Sequence, residues 1–134
     1  MKIIGITTKA SNQETEKIGA FWHQFFANNI SSLIPNTISP HIFCLYTDYE
    51  GDHTNPYKMI IGHEVSTLDH IPAGLEGREF EYEHYDHITL PQGNPESILK
   101  AWQEIWANGR PRAYKLDFQK HNPDGSVDIF VEYK

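Results

Sequence analysis

The residues of this chain that most invite a metal interpretation are its eight histidines. His84 and His87 lie three positions apart in the run EHYDH (83–87), and His63 precedes Glu64. If the run at 83–87 lies in a strand, the side chains of His84 and His87 point to opposite faces of the sheet, because they are three positions apart. The HExxH spacing of helical zinc sites is absent. The pattern favours solvated, hydrogen-bonding histidines, and we predict neither a metal nor a cofactor.

Nucleophilic and phosphate-binding chemistry leaves no signature in the sequence. The chain contains no GxSxG, no GxGxxG and no P-loop. Its single cysteine, Cys44, stands in the apolar run HIFCLY (41–46), where a small buried hydrophobe is more typical than a reactive thiol. We therefore assign no catalytic residue.

The aromatic residues are more informative. Trp22, Trp102 and Trp106 fall on the apolar faces of predicted helices, where core packing is the alternative to ligand contact. On the last predicted strand, Phe130 shares a side with carboxylates that include Glu132, opposite an aliphatic side that a helix would cover. An aromatic ring among carboxylates can bind a planar cation through stacking and charge.

Two pairs of candidate residues must be divided between the faces of a regular sheet. Tyr46 and Tyr49 lie three apart on one predicted strand, so one should enter a site and the other the core. Phe118 and Gln119 are neighbours on another strand and must separate in the same way.

The elements that position these residues repeat one order, which is strand, helix, strand, strand. In both halves of the chain, period-2 patterns predict the strands and period-3.6 patterns predict the helix, and cap and turn residues mark where these elements end. In the first half we predict a strand at 2–8 and strands at 41–49 and 57–65. Between the first two lies a predicted helix that starts at a Ser11–Glu14 capping box and ends near Asn28. In the second half we predict a strand at 78–90, followed by a helix that begins at Asn94 and Pro95 and ends at Asn108-Gly109. Two further strands, at 112–121 and 126–133, are joined by a turn at 122–125.

The helices IGAFWHQFF (18–26) and ILKAWQEIW (98–106) carry Ile, Trp and a further aromatic at matching positions, which indicates an internal duplication. We therefore predict one domain over 1–134, with pseudo-repeats at about 1–66 and 77–134. The fold class is α+β: two strand–helix–strand–strand units with a mostly antiparallel sheet and both helices on one face. A central groove between such units is a preferred place for a small-molecule site.

Composition and charge limit the partners. The chain has 134 residues, of which 39% are hydrophobic, and this is enough to bury a core. Its formal net charge is −7, so it repels nucleic acid and anionic membranes. No apolar stretch is long enough to span a bilayer. The start of the chain leads directly into a predicted strand, so we expect no signal peptide and a cytoplasmic location.

Several runs together resemble the GyrI-like small-molecule-binding domains, which occur as effector-binding domains of AraC- and MerR-type bacterial regulators and as stand-alone or integron-cassette proteins. No single run is specific, but their order and spacing cover nearly the whole chain. They are IGAFWHQFF (18–26), YTDYEGDH (46–53), IGHEV (61–65), IPAGL (71–75), AWQEIW (101–106), RAYKLDFQKH (112–121) and VDIFVEYK (127–134).

This resemblance implies a groove that binds lipophilic, often cationic compounds between aromatic walls, with an acid at its base. The family's usual acid falls at position 119, which is Gln119 here, and its usual last-strand Tyr falls at Phe130. Gln can hydrogen-bond a ligand but cannot neutralise a cation. Glu64 or Glu132 would then supply the charge.

The sequence therefore predicts a stand-alone binding domain for a lipophilic, cationic small molecule, with a sensing or sequestering role linked to transcription regulation. It predicts no direct binding to nucleic acid and no membrane contact. A small hydrolase of electrophilic natural products and an inhibitor of a protein partner, a regulator or gyrase, are the alternatives. The predicted ligand-binding residues are Trp22, Tyr46, Tyr49, Glu64, Trp106, Phe118, Gln119, Phe130 and Glu132.

Overall fold

The computed structural model of the protein describes residues 1–81 and 84–134. Within them the elements are β1 (Lys2–Ala10), α1 (Thr15–Ala27), a 3-10 helix (Ile30–Leu33), β2 (Ile42–Thr47), β3 (Tyr57–Glu64), β4 (Glu76–Glu79), β5 (Tyr85–Leu90), α2 (Pro95–Ala107), β6 (Leu116–His121) and β7 (Val127–Glu132). The predicted α+β class is confirmed. In this part of the chain no helix is long and apolar enough to cross a membrane.

The described strands form one sheet in the order β4-β1-β3-β2-β6-β7-β5, and every neighbouring pair is antiparallel. The units β1-α1-β2-β3 and β5-α2-β6-β7 share one topology, because in each the last strand lies between the first and the second. The second strands of the units, β2 and β6, pair with each other at the centre of the sheet. Strand β4 adds an edge beside β1.

Helices α1 and α2 pack on the same face of this sheet. Phe21 and Phe25 of α1 pack with residues of β1, β2 and β3, and Trp102 and Ile105 of α2 pack with the aliphatic side of β7. The sequence prediction that a helix covers this side of the last strand is therefore confirmed. Cys44 is fully buried beneath α1, and burial raises the pKa of its thiol to about 12, so it stays protonated and unreactive at neutral pH.

The opposite face of the sheet carries a second core. Phe43, Leu45, Ile60 and Phe118 are almost completely buried there, with Phe80, Tyr85 and Phe130 packed against them at partial exposure. Phe80 directly follows β4, and Tyr85 opens β5, so both ends of this connection lie on the face that the helices leave uncovered.

The predicted single strand at 78–90 is wrong. The structure has two strands instead, β4 and β5, at opposite edges of the sheet. Alternation within 78–90 cannot show this division, because each part retains a strand-like pattern by itself. Glu83 of the EHYDH run and its neighbour Tyr82 lie outside the described residues.

The predicted helix starts differ in accuracy. Asn94 caps α2 as predicted, its side chain accepting a hydrogen bond from the Ser97 N–H at 2.8 Å. The Ser11–Glu14 capping box is wrong: α1 begins at Thr15, and the Ser11 carbonyl accepts the Glu14 N–H in a preceding turn. Pairing of β1 with β3 continues to Ala10, so the chain uses residues 11–14 to leave the sheet before a helix can begin.

Gly5 and Gly62 lie opposite each other in the paired strands β1 and β3. A Cβ at Gly62 would lie 1.9 Å from the Ile4 carbonyl oxygen, and backbone in a paired strand cannot move aside cheaply. We expect Gly62→Ala to lower the free energy of unfolding by about 2 kcal/mol or more. Gly19→Ala is the matched control, because nothing lies within 4 Å of that position in α1, and it should raise stability by up to ~1 kcal/mol. Equal urea midpoints for both variants would contradict the close approach.

Candidate functional site

A cavity of about 660 Å³ opens between α1 and α2 on their side of the sheet. Helix α1 supplies one wall, α2 the other, and the central strands β2 and β6 contribute the floor. Phe26 and Leu99 line it while remaining 60% and 45% exposed, which places them at the opening. The full lining is Asn12, Thr15, Ile18, Gly19, Trp22, Phe26, Tyr46, Tyr49, His53, Tyr57, Gly93, Pro95, Ile98, Leu99, Trp102, Trp106, Arg112, Gln119 and His121.

Five of the predicted site residues meet in this cavity: Trp22, Tyr46, Tyr49, Trp106 and Gln119. The ring of Trp22 lies 4.8 Å from that of His121, and the ring of Trp106 stacks on His53 with centroids 5.5 Å apart. Aromatic faces from both helices therefore enclose the same space.

Tyr46 and Tyr49 line the cavity together, so the prediction that one of them belongs to the core alone is wrong. That prediction assumed a regular strand over 41–49, whereas β2 ends at Thr47 and Asp48 adopts a left-handed conformation with φ 50°. The break returns Tyr49 to the face of Tyr46. Both rings contact that of Tyr57, with centroid distances of 5.5 Å from Tyr46 and 5.8 Å from Tyr49.

Gln119 takes part in a hydrogen-bonded chain at the floor. Its Oε1 accepts from His121 Nε2 at 2.9 Å, and its Nε2 donates to the Tyr46 hydroxyl at 2.9 Å. Burial lowers the pKa of His121 to about 4, so the imidazole is neutral at pH 7 and its Nε2 carries the proton that this geometry requires. Gln119 and Phe118 separate to opposite faces, as the sequence predicted.

Four predicted residues do not line this cavity: Glu64, Phe118, Phe130 and Glu132. Strand alternation puts them on the other face of the sheet, with Phe118 and Phe130 stacked there at 4.5 Å. Glu64 is on the side of Ile60, and Glu132 on the side of Phe130. The predicted site combined residues from two faces of the sheet, because residue types alone do not say which face the groove occupies.

A buried ion pair beside the cavity was not predicted from the sequence. Asp117 has no exposed surface and Arg112 is 5% exposed, with Arg112 Nη2 donating to Asp117 Oδ2 at 2.5 Å. The Tyr49 hydroxyl donates to the same oxygen at 2.6 Å, and the Glu132 backbone N–H donates to Oδ1 at 2.9 Å. A charged residue directly between two apolar residues of a predicted strand, Leu116 and Phe118, was the signal that could have revealed Asp117.

Charge states at this pair follow from its surroundings. Burial lowers the pKa of the Arg112 guanidinium, but Asp117, Tyr49 and Tyr114 together raise it by more, and the group stays charged. Burial and then the Asp117 charge raise the pKa of Tyr49, so its hydroxyl remains a neutral donor. The pair as a whole therefore adds no net charge to the cavity.

A loop anchored by side chains closes one end of the cavity. Asn12 Nδ2 donates to the His53 carbonyl at 2.6 Å, and the Tyr57 hydroxyl donates to Asn12 Oδ1 at 2.8 Å. These bonds hold His53 against Trp106. Residues 1–81 and 84–134 contain no group of three or more His, Cys, Asp or Glu that could hold a metal ion.

The family model of integron-associated effector binding proteins matches residues 1–132. The chain therefore belongs to that family, and its resemblance to the integron-cassette type of GyrI-like domain is confirmed.

Two solved structures show the same fold. An integron cassette protein from the mobile metagenome of Vibrio cholerae has a TM-score of 0.80 at 20% identity, over 100% of this chain and 90% of its own. SAV2435, solved with tetraphenylphosphonium bound, has a TM-score of 0.65 at 11% identity, over 100% of this chain and 88% of its own. The comparison with curated proteins gave no match.

Removing the carboxylate of the buried pair should be costly. We expect Asp117→Asn to destabilise the protein by about 3–5 kcal/mol, because Arg112 would remain charged, buried and uncompensated. Asp86→Asn, which removes a carboxylate paired with Arg110 at about half exposure, should change stability by less than ~1 kcal/mol. Urea unfolding measures both, and a similar small loss in the two variants would contradict the account of Asp117.

His121 should make stability depend on pH. Its pKa is lowered from 6.5 to about 4 in the folded protein, so between these values the unfolded chain binds a proton that the folded chain does not. The free energy of unfolding should therefore fall as pH falls, by up to about 1.4 kcal/mol per pH unit from this residue. His121→Asn should flatten the profile between pH 6.5 and 4.

The matched control is His23→Asn, on the exposed side of α1. His63 is also buried, and burial lowers its pKa, so part of the slope persists in both variants. Parallel profiles for the two variants would contradict the assignment to His121.

Proposed function

We propose that this protein is a binding module that holds a lipophilic small molecule in the cavity between α1 and α2. The observation that carries this proposal is the aromatic lining of the cavity by Trp22 and Trp106 from opposite walls and Tyr46 and Tyr49 from beneath. A volume of about 660 Å³ lies within the range of roughly 300–1,000 Å³ in which drug-sized ligands bind.

The comparisons support the same proposal. The family is described by effector binding, and the structural relative SAV2435 was solved with tetraphenylphosphonium, a lipophilic ion made of aromatic rings. Flat rings of this kind pack well against tryptophan and tyrosine faces. We infer that the ligand of the present protein is also rich in aromatic or other apolar surface.

The charge of the ligand is a separate question from its apolar character. The sequence interpretation used Glu64 and Glu132 to neutralise a cation, but both lie on the other face of the sheet. Among the lining residues that the structure describes, none is an Asp or a Glu. A cation in this cavity would be held by aromatic faces, without a carboxylate in contact.

We further propose that binding serves sensing or sequestration, with any effect on transcription passing through a separately encoded DNA-binding protein. The hydrolase alternative has weaker support. A general base must be ionisable and within reach of a water molecule. At the family's acid position stands Gln119, whose amide is engaged by His121 and Tyr46.

The test is a thermal-shift screen with tetraphenylphosphonium, neutral triphenylphosphine oxide and anionic tetraphenylborate. A compound that binds only the folded state raises the unfolding midpoint by mass action. For whichever compound stabilises the protein, Trp22→Ala and Trp106→Ala should weaken binding by about tenfold or more, since each removes an aromatic wall.

Glu64→Gln and Glu132→Gln are the matched controls on the opposite face, and both should retain wild-type affinity. Loss of cation binding in Glu132→Gln would contradict the cavity assignment and restore the sequence interpretation. If no compound shifts the midpoint, the binding proposal is overturned and the protein-partner role takes its place.

A further inference from the structure

A serine and a histidine that are distant in the chain meet outside the cavity. Ser31 Oγ lies 2.7 Å from His63 Nε2. His63 is only 6% exposed, whereas Ser31 is an exposed residue of the 3-10 helix, so a solute approaches the pair from the side of the serine. Neither residue belongs to the cavity lining, and the contact is therefore separate from the proposed ligand site.

The second hydrogen bond of His63 fixes which ring nitrogen carries the proton. Nδ1 lies 2.8 Å from the backbone carbonyl oxygen of His41, and a carbonyl oxygen only accepts, so Nδ1 is the donor. Burial lowers the pKa of His63 below 6.5, so the ring is neutral at pH 7 and carries one proton. Nε2 therefore presents a lone pair, and the Ser31 hydroxyl donates to it.

Both side chains are positioned by folded backbone. His63 lies in β3, which pairs with β1, and its ring packs 6.0 Å from the ring of Phe25 in α1. Asn29 has a left-handed conformation with φ 49°, and this turns the chain between α1 and the 3-10 helix. Ile30 is then buried at 6% exposure in the core beneath α1, which leaves the next residue, Ser31, at the surface.

This arrangement has the parts of an activated nucleophile. A hydroxyl within hydrogen-bond reach of a base, with the base oriented by a third group, is the arrangement that nucleophilic catalysis requires. The neutral His63 can take the Ser31 proton, and the His41 carbonyl stabilises the imidazolium that forms, because its hydrogen bond to Nδ1 favours the charged ring.

The surroundings of the pair limit its substrate. Ser31 is at the surface, so a substrate reaches it without entering an enclosed pocket. Leu33 of the same 3-10 helix is 54% exposed. Ile38 is 56% exposed, and its backbone N–H donates to the carbonyl of Glu64, the neighbour of His63, at 3.1 Å. These segments offer apolar surface, which favours a small substrate with an apolar group.

We propose that Ser31 is a nucleophile activated by His63, and that the pair hydrolyses aryl esters of short carboxylic acids. Ser31 Oγ forms a bond to the ester carbonyl carbon while its proton passes to His63 Nε2. The bond from this carbon to the aryl oxygen then breaks, and the aryl oxygen takes that proton. Water next attacks the acyl carbon and gives a proton to Nε2, and the acid departs as Ser31 Oγ recovers this proton.

Hydrolysis of 4-nitrophenyl acetate by the full chain tests the proposal, with acid-quenched samples mapped by peptide mass spectrometry. We expect an acetyl group on Ser31 of the wild-type chain, and Ser31→Ala should lower the rate of nitrophenolate release by about tenfold or more. Ser32→Ala is the matched control, because this neighbouring hydroxyl donates to the Asn29 carbonyl at 2.8 Å instead of a base. It should keep the wild-type rate.

His63→Gln removes the base and should lower the rate as much as Ser31→Ala does. Because His63 is buried, the urea midpoint of this variant shows whether it still folds. A fluorophosphonate probe gives a measurement that does not need the variant, since it reacts with activated hydroxyl groups. It should label Ser31 of the wild-type chain and leave Ser32 unlabelled.

Equal hydrolysis rates for Ser31→Ala and Ser32→Ala would overturn this inference. A fluorophosphonate that labels neither serine, or both alike, would also overturn it. So would an unchanged rate in folded His63→Gln, because Ser31 would then react without its base. None of these outcomes depends on ligand binding in the cavity, so the proposed function stands or falls by its own test.

Discussion

Antiparallel hydrogen bonding between β2 and β6 joins the strand–helix–strand–strand units, and the geometry of the cavity follows from it. Their pairing extends from Ile42 opposite His121 to Thr47 opposite Leu116. Each helix covers the strands of its own unit. The two helices are therefore separated above the paired strands β2 and β6, and the groove lies between them. The pairing of β2 with β6 also places Tyr46 directly opposite Asp117, which brings the aromatic floor and the buried ion pair together.

A buried ion pair lies beside the aromatic cavity, with Arg112 in its lining and Asp117 behind it. Asp117 is compensated by a guanidinium, a phenol and a backbone N–H, whereas Arg112 keeps donors that the described protein atoms leave unused. A buried pair of this kind contributes less to stability than its contacts suggest, because both charges lose hydration. Its position beside the cavity, rather than a large stabilising contribution, is what distinguishes it in the structure.

Much of the fold could be predicted from the sequence, because its signals are local. The period-3.6 spacing predicted both helices, Asn94 marked the start of α2, and the turn at 122–125 marked the final hairpin. Errors arose where a local signal was overruled. Continued pairing at Ala10 displaced the start of α1, and the left-handed Asp48 returned Tyr49 to the cavity. Glu64 and Glu132 were assigned to the site by charge, although their strands direct them to the other face.

The sequence by itself determined the class of fold, the family and the aromatic residues available to a ligand, because composition, periodicity and the order of motifs are properties of neighbouring positions. Only the tertiary structure decided which face holds the cavity, and with it which candidates meet. It also revealed the donors of Trp102 and Arg112, since an unsatisfied hydrogen bond depends on atoms that are distant in the chain. Burial and pairing arise when elements distant in the chain pack together, and residue type at a single position does not encode them.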